Sequence, residues 1–277
     1  MPQPISKRSG IVSGSRVSNS NAIKKFVKLF KMKLDFQERA IYFVTILMFV
    51  AGFLPEHMAV AANAEITPFK VTYNLKYSIA KGTMTLNVSA NDSGGYDIDS
   101  STKAEGAAKL IISKPIIEHA EFKIVDGVVQ AVSYELSDGS EESSEDVKIA
   151  YNWADSQANM QSEKGEEVKS LTAETMDQLV MQAAAVLAIK NGTEEFTFRQ
   201  LHPGTDAQTI TYSKMGEEIL KTSLGELNTV KYSRKREGSG RENHFWYSIE
   251  HDYVPVQLEQ VKGNKSVYKA TLNSLEQ

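Results

Sequence analysis

The sequence predicts a mainly β protein: a curled antiparallel sheet forming a partly open barrel, with one buried α-helix at about 172–190. Three observations lead there. Apolar and polar residues alternate along most of the chain after residue 65, the period of two that marks half-buried strands. Turn residues punctuate these runs without helical segments between them, which means antiparallel connections. A single segment changes to a helical period.

The chain opens with two segments outside the fold. Residues 1–31 are rich in Ser and Lys without pattern, and read as a disordered or mis-called extension, because Met32-Lys33 would serve as a start. Residues 32–64 read as a signal peptide. Lys24, Lys25, Lys28, Lys31, Lys33 and Arg39 precede the apolar run IYFVTILMFVAGFL (41–54), and Ala62-Asn63-Ala64 fits the small-residue cleavage rule, placing the cut between Ala64 and Glu65. The run has 14 residues, short of the ~18–20 that a membrane-crossing helix needs. An uncleaved amphipathic anchor is the competing reading. Cleavage leaves one β-rich domain, 65–277, with no transmembrane span, and the expected location is the periplasm.

Charge and cysteine content narrow the function. The whole chain has a net charge of −4, yet residues 1–64 carry nine Lys/Arg and three Asp/Glu, leaving 22 basic and 32 acidic side chains in the domain. Such a surface repels phosphate backbones, so a nucleic-acid partner is excluded. With no cysteine, the protein has no lipidated cysteine, disulfide or thiolate site.

Strands follow from the alternation. Phe69, Val71, Tyr73, Leu75 and Tyr77 share one face of FKVTYNLKY (69–77), and Met84, Leu86 and Val88 share one face of GTMTLNV (82–88). NDSGG (91–95), HPGTD (202–206), GSG (238–240) and Gly263-Asn264 are turns, and Asp126-Gly127 is the strongest hairpin signal. TAETMDQLVMQAAAVLAIKNG (172–192) is the helical segment, with Thr172 as expected N-cap and Lys190-Asn191-Gly192 as the stop. Its apolar residues, among them Leu179 and Val180, cover more than one stripe, so several neighbours should bury it.

The candidate site lies in the last hairpins. A three-residue loop at Gly238-Ser239-Gly240 would place Tyr232 opposite Trp246, Arg234 opposite His244 and Arg236 opposite Glu242. Tyr232, Arg234, Arg236 and Trp246 would then line the concave side as a ligand-binding patch. Arginine pairs hold carboxylates or phosphates bidentately; the plainer alternative is cross-strand pairing of Arg236 with Glu242. Glu250-His251-Asp252 resembles a catalytic relay, but consecutive strand residues point to opposite faces and no nucleophile-elbow motif is present. It reads as a corner. His119 and His202 lack metal-ligand spacing, and DGSEESSED (138–146) lacks the spacing of a calcium loop and reads as a solvated acidic loop. No catalytic residue, metal or cofactor is therefore predicted.

PFKVTYNLKYSIAKGTMTLNV, the MDQLVMQ helix, SLGELNTVKYSRKR and FWYSIEHDYVPVQLEQ together resemble the bacterial family of domain of unknown function 3108, over nearly all of 67–275. The resemblance implies an exported envelope protein with a curled antiparallel sheet around a helix, and carries over no catalytic residues. The FW…PV.LE ending is also similar in style to periplasmic lipoprotein-carrier folds, a likeness of fold alone. The expected function is non-enzymatic: a periplasmic binding or scaffold protein holding an apolar or amphipathic, lipid-like ligand in the barrel. The alternative is an envelope interaction protein that binds a protein partner by sheet-edge pairing, without a small ligand.

Overall fold

The computed structural model describes residues 65–277 apart from Ile79, 111–112 and 141–144. The expected extension, the leader and Ala64 lie outside the described residues. Among the described residues, fifteen strands and one helix follow the chain in this order: β1 (Phe69–Tyr77), β2 (Ala80–Ala90), β3 (Tyr96–Glu105), a 3-10 turn (Gly106–Leu110), β4 (Ile116–Val125) and β5 (Val128–Ser137). Then come β6 (Val147–Asn152), β7 (Gln157–Ser162), β8 (Gly165–Ser170), β9 (Thr175–Met176) and α1 (Val180–Lys190). The second half is β10 (Glu195–Gln200), β11 (Gln208–Thr222), β12 (Gly225–Arg236), β13 (Arg241–Ser248), β14 (Pro255–Lys262) and β15 (Lys265–Glu276). The mainly β expectation is met.

All the strands belong to one sheet, ordered β8-β7-β6-β5-β4-β3-β2-β1-β15-β14-β13-β12-β11-β10-β9. Neighbours pair antiparallel except β9 with β10, which run parallel. β1 and β15 join the two halves, with Lys70 opposite Glu276. The alternation read in the sequence is the burial pattern: Phe69, Val71, Tyr73 and Leu75 are buried on β1, as are Leu86 and Val88 on β2. Asp126 and Gly127 both take positive φ, 51° and 78°, between Val125 and Val128, which face each other. That is the two-residue turn expected of Asp-Gly. Pro255 stands first in β14, where no ladder N–H is required of it.

The sheet curls without closing into a barrel. Its edges, β8 and β9, are consecutive in the chain, and side chains cross the gap in place of a backbone ladder. Lys164 Nζ donates to Pro203 O at 3.1 Å and Lys169 Nζ to Thr205 O at 2.9 Å. The Gly204 amide donates to Glu167 Oε1 at 2.6 Å. Gly204 has φ +75°, a left-handed conformation that favours glycine at this point of the seam.

Helix α1 packs on the concave side against β4, β5 and β10, with Val180, Met181, Ala183, Ala184, Ala185, Val186, Leu187 and Ile189 buried. It begins eight residues later than the sequence suggested, at Val180 instead of Thr172. Thr172 is not its cap: the Thr172 amide donates to Thr175 Oγ1 at 3.0 Å and the Thr175 amide to Thr172 O at 2.9 Å. This local turn diverts the chain into β9, a competition that threonine side chains commonly win over a helix. Asp177 does the capping instead, its Oδ1 accepting the amides of Leu179 and Val180 at 2.9 Å each. Its Oδ2 accepts from the Tyr151 hydroxyl at 3.0 Å. Beside it, the Gln178 amide and the Tyr134 hydroxyl both donate to Glu118 Oε2. The helix start is thus bound to β4, β5 and β6 by a buried polar knot.

Candidate functional site

The register of the β12–β13 hairpin decides which side chains share a face. Lys231 stands opposite Trp246, Tyr232 opposite Phe245, Ser233 opposite His244, Arg234 opposite Asn243 and Lys235 opposite Glu242. The expected register is therefore displaced by one residue. The loop takes in Glu237 as well as Gly238, Ser239 and Gly240, with Gly238 at φ 72°, and the Ser239 amide donates to Arg236 O at 3.1 Å. A four-residue loop in place of three shifts the pairing by one and turns every side chain of β13 to the other face.

Two corrections follow. Trp246 is not on the face of Tyr232 and the arginines. It lies on the outer face with Lys231, whose Nζ sits 4.4 Å from the ring centroid, and its indole N–H donates to Glu218. Glu242 faces Lys235 and pairs with His244 at 2.9 Å, so it does not stand opposite Arg236 as the three-residue loop required.

Tyr232, Arg234 and Arg236 do share the concave face. There Tyr232 joins Phe196, Phe198, Tyr212, Phe245 and Tyr247 in a ring cluster. Phe196 stacks on Tyr212 with centroids 4.9 Å apart, and Phe245 stacks on Tyr247 at 6.0 Å. The Tyr232 hydroxyl donates to Thr193 O at 2.8 Å, just past the helix.

The arginines continue the same face to one end of the sheet and form a basic mouth. Arg234 lies between Tyr212 on β11 and Asn243 on β13, and Arg236 faces Ile210. Arg241 faces Lys262 on β14. Arg234 donates to Gln200 Oε1 at 3.2 Å and lies 6.0 Å from the Tyr212 ring centroid. Arg236 donates to Gln208 Oε1 at 3.2 Å. Burial, and then the Arg241 charge, hold the Arg236 guanidinium below its usual value. The Tyr212 hydroxyl is buried without a hydrogen-bond partner among the described residues. Burial pushes its pKa up, against the lowering effect of Arg234. The pairing of Arg241 with Lys262 left no signal in the sequence, because only the true register brings them to Arg236.

The Glu250-His251-Asp252 corner puts each side chain to local use. His251 Nδ1 lies 2.9 Å from Ser248 Oγ, and Ser248 Oγ also donates to Glu250 at 3.2 Å. A serine–histidine contact of this kind has the distance of a catalytic pair, but Ser248 is 0% exposed and closed to any substrate. Asp252 accepts from Thr67 at 2.6 Å and Lys190 at 2.7 Å, tying the corner to the start of the domain and the helix end. Burial acts to raise the Asp252 pKa, but the bonds from Lys190 and Thr67 outweigh it and hold the carboxyl below its usual range.

A cavity of about 480 Å³ opens elsewhere, on the outer surface between β4, β5, β6 and β7, beside Ile117, His119, Glu135 and Lys148. Among the described residues no helix is long and apolar enough to cross a membrane.

The family model described as "Protein of unknown function (DUF3108)" matches residues 68–272, as the sequence motifs suggested. No curated relative matches the chain. Among solved structures the chain is similar to a beta-barrel-like protein of the domain of unknown function 1849 from Brucella abortus: 10% identity, TM-score 0.48, covering 76% of this chain and 97% of that one. A protein with a YmcC-like fold from Bacteroides fragilis has 12% identity and TM-score 0.31, over 76% and 95% of the two chains. A porin-like protein from Bacteroides uniformis has 10% identity and TM-score 0.27, over 76% and 96%.

Proposed function

We propose a binding role, without catalysis, for this chain, which belongs to the DUF3108 family. Its setting in this reading is the periplasm, reached through cleavage of the leader, and its ligand is an amphipathic molecule with an anionic head. The head is held at the mouth by Arg234, Arg236 and Arg241. The apolar part lies towards Tyr232, Tyr212 and Phe245, and Trp246 takes no part.

The observation that carries this reading is the facing of Arg241 and Lys262 beside Arg236. Like charges directly opposite each other across a ladder destabilise it, and this acidic domain places them at the end of its concave face. A carboxylate or phosphate between them would offset the repulsion and accept paired guanidinium hydrogen bonds.

The test pairs stability with ligand content. A fluorescent fatty acid should bind the purified protein and raise its melting temperature, while a neutral alcohol of equal chain length should not. Arg241→Gln should lose the fatty acid yet melt at or above the wild-type temperature without ligand, because a repulsion is removed. A fall in melting temperature with fatty-acid binding unchanged would reduce the mouth to sheet structure.

Location is tested separately. The protein expressed with its leader in a Gram-negative host should be recovered from the periplasmic fraction with Glu65 as its first residue. An uncut chain held in the inner membrane would support the anchor instead.

Sheet-edge pairing with a protein partner is a second reading, favoured by one observation: on the edge strand β8, Val168 is 62% exposed. Partner binding that survives Arg234→Glu but fails in Val168→Lys would favour it.

A further inference from the structure

On the outer face of β3 and β4, away from the concave mouth, three metal-ligating side chains converge. Asp97 stands directly opposite Glu121, and Asp99 directly opposite His119. The alternate residues Ile98, Ala120 and Phe122 are buried, which fixes the outward face of the four. One carboxylate oxygen from each of Asp97 and Glu121 and one ring nitrogen of His119 all lie within 4.8 Å of one another. An ion at their centre would reach all three with small side-chain movements.

Two features point to a ligand. First, Asp97 and Glu121 are like charges facing each other, an arrangement that costs a ladder stability. Among the described residues neither makes an ion pair, although Glu135 two strands away from Asp97 is paired with Lys148 at 3.1 Å. Beyond them in the ladder stand Ser89 on β2 and Ser133 on β5, so no cation stands directly opposite either carboxylate, and Lys123, two residues along β4 from Glu121, forms no ion pair with either among the described residues. Second, His119 Nδ1 lies 2.8 Å from Asp99 Oδ1. An ionised carboxylate only accepts, so in a neutral imidazole this bond keeps the proton on Nδ1 and the lone pair on Nε2. A carboxylate behind the imidazole is how metal-ligating histidines are held and made more basic. Asp97 is steadied in turn by Asn91 Nδ2 at 3.0 Å.

We propose that Asp97, His119 and Glu121 form a binding site for a divalent transition ion of the zinc class, with Asp99 as the positioning residue. One imidazole and two carboxylates suit zinc better than calcium or magnesium, which take oxygen ligands throughout. The side chains of His119 and Asp99 are 40% and 52% exposed, so water completes the coordination and the ion exchanges with solvent. The site sits on two paired strands, not a loop, so the strands hold its ligands in place before the ion arrives.

The experiment is calorimetric titration of the purified, untagged, chelator-treated protein with Zn²⁺, with Ca²⁺ and Mg²⁺ as controls. One Zn²⁺ per chain should bind saturably, and a tenfold excess of Ca²⁺ should not displace it. His119→Ala and Asp97→Asn should each abolish that stoichiometric step, and Asp99→Asn should weaken it about 10–100-fold, the usual effect of losing such a partner. Circular dichroism should show all three variants folded, as changes on an exposed face permit. As a second readout, the His119 ring resonances should shift on zinc addition while those of His251 do not. Absence of a saturable zinc step overturns the proposal. So does a step unchanged in His119→Ala, or one that Ca²⁺ reproduces equally, which would mark diffuse attraction to the acidic face.

Discussion

Leu179→Ala should lower the unfolding free energy by about 2–5 kcal/mol, the cost of emptying a buried leucine site in a packed interior. Leu179 is fully buried at the entry of α1, and its own amide is one of the two that Asp177 caps. The cavity would open where the helix is fixed on one side by its cap and on the other by the Gln178–Glu118 bond, so the surroundings have little freedom to collapse. Urea unfolding followed by tryptophan fluorescence gives the value, because Trp153 and Trp246 lie in opposite halves of the sheet. Ile219→Ala is the control, since Ile219 is largely exposed and such changes stay within ~0.5 kcal/mol. Equal values for the two would mean that α1 is peripheral to the stability of the sheet.

The second large effect is a dependence of stability on pH that runs against the common direction. Burial pushes the Asp177 carboxyl from an ordinary 3.8 up to about 6, against the amide bonds from Val180 and Leu179 and the Tyr151 hydroxyl, which favour the charged form. The folded protein therefore holds this proton more tightly than the unfolded chain does. Below pH ~4 both states are protonated and the group imposes no penalty. As pH rises from about 4 to 6 the unfolded chain ionises first, and stability from this group falls, reaching a loss of roughly 3 kcal/mol above pH 6. Asp177→Asn keeps an oxygen for the cap and removes the charge. It should match the wild type at about pH 3 and exceed it at about pH 7 by up to about 3 kcal/mol, the difference cancelling the titration of groups common to both. Glu118 is the acidic neighbour in the same polar knot, linked through Tyr134 and Gln178, so the comparison should be repeated with Glu118→Gln. A difference between Asp177→Asn and wild type that stays constant with pH would show that the bonds from the helix amides outweigh the burial.

What could be read from the residues depended on whether the deciding contact was local. β1, β2 and the Asp126-Gly127 hairpin were legible because alternation and turn chemistry both act within a few residues. The body of α1 was legible from its apolar period, but its start was not: Thr172 and Asp177 are both good capping residues, and pairing of β9 with β10 decides between them. The β12–β13 register failed on one residue of loop. Phe245, Trp246 and Tyr247 are consecutive aromatics, so apolarity could not say which parity faces inward. The glutamate at 237 decides it by joining the loop, which leaves Trp246 to cover the outer face. The cluster at Asp97, His119 and Glu121 left no spacing signal because its members come from two strands and meet only across the ladder.

The pairing of β1 with β15 has a kinetic consequence. Lys70 and Glu276 are separated by 206 positions in the chain, whereas nearly every other strand pairs with its sequence neighbour. Closing a loop of that length costs about 5 kcal/mol of chain entropy by (3/2)RT ln n, before its constant. The two runs of hairpins can form from short-range encounters, but the strands that join them must wait for that closure. A permuted chain with its natural ends linked and new ends opened between β8 and β9 would make every antiparallel pair a sequence neighbour. It should refold faster than the natural order, with the strand arrangement unchanged.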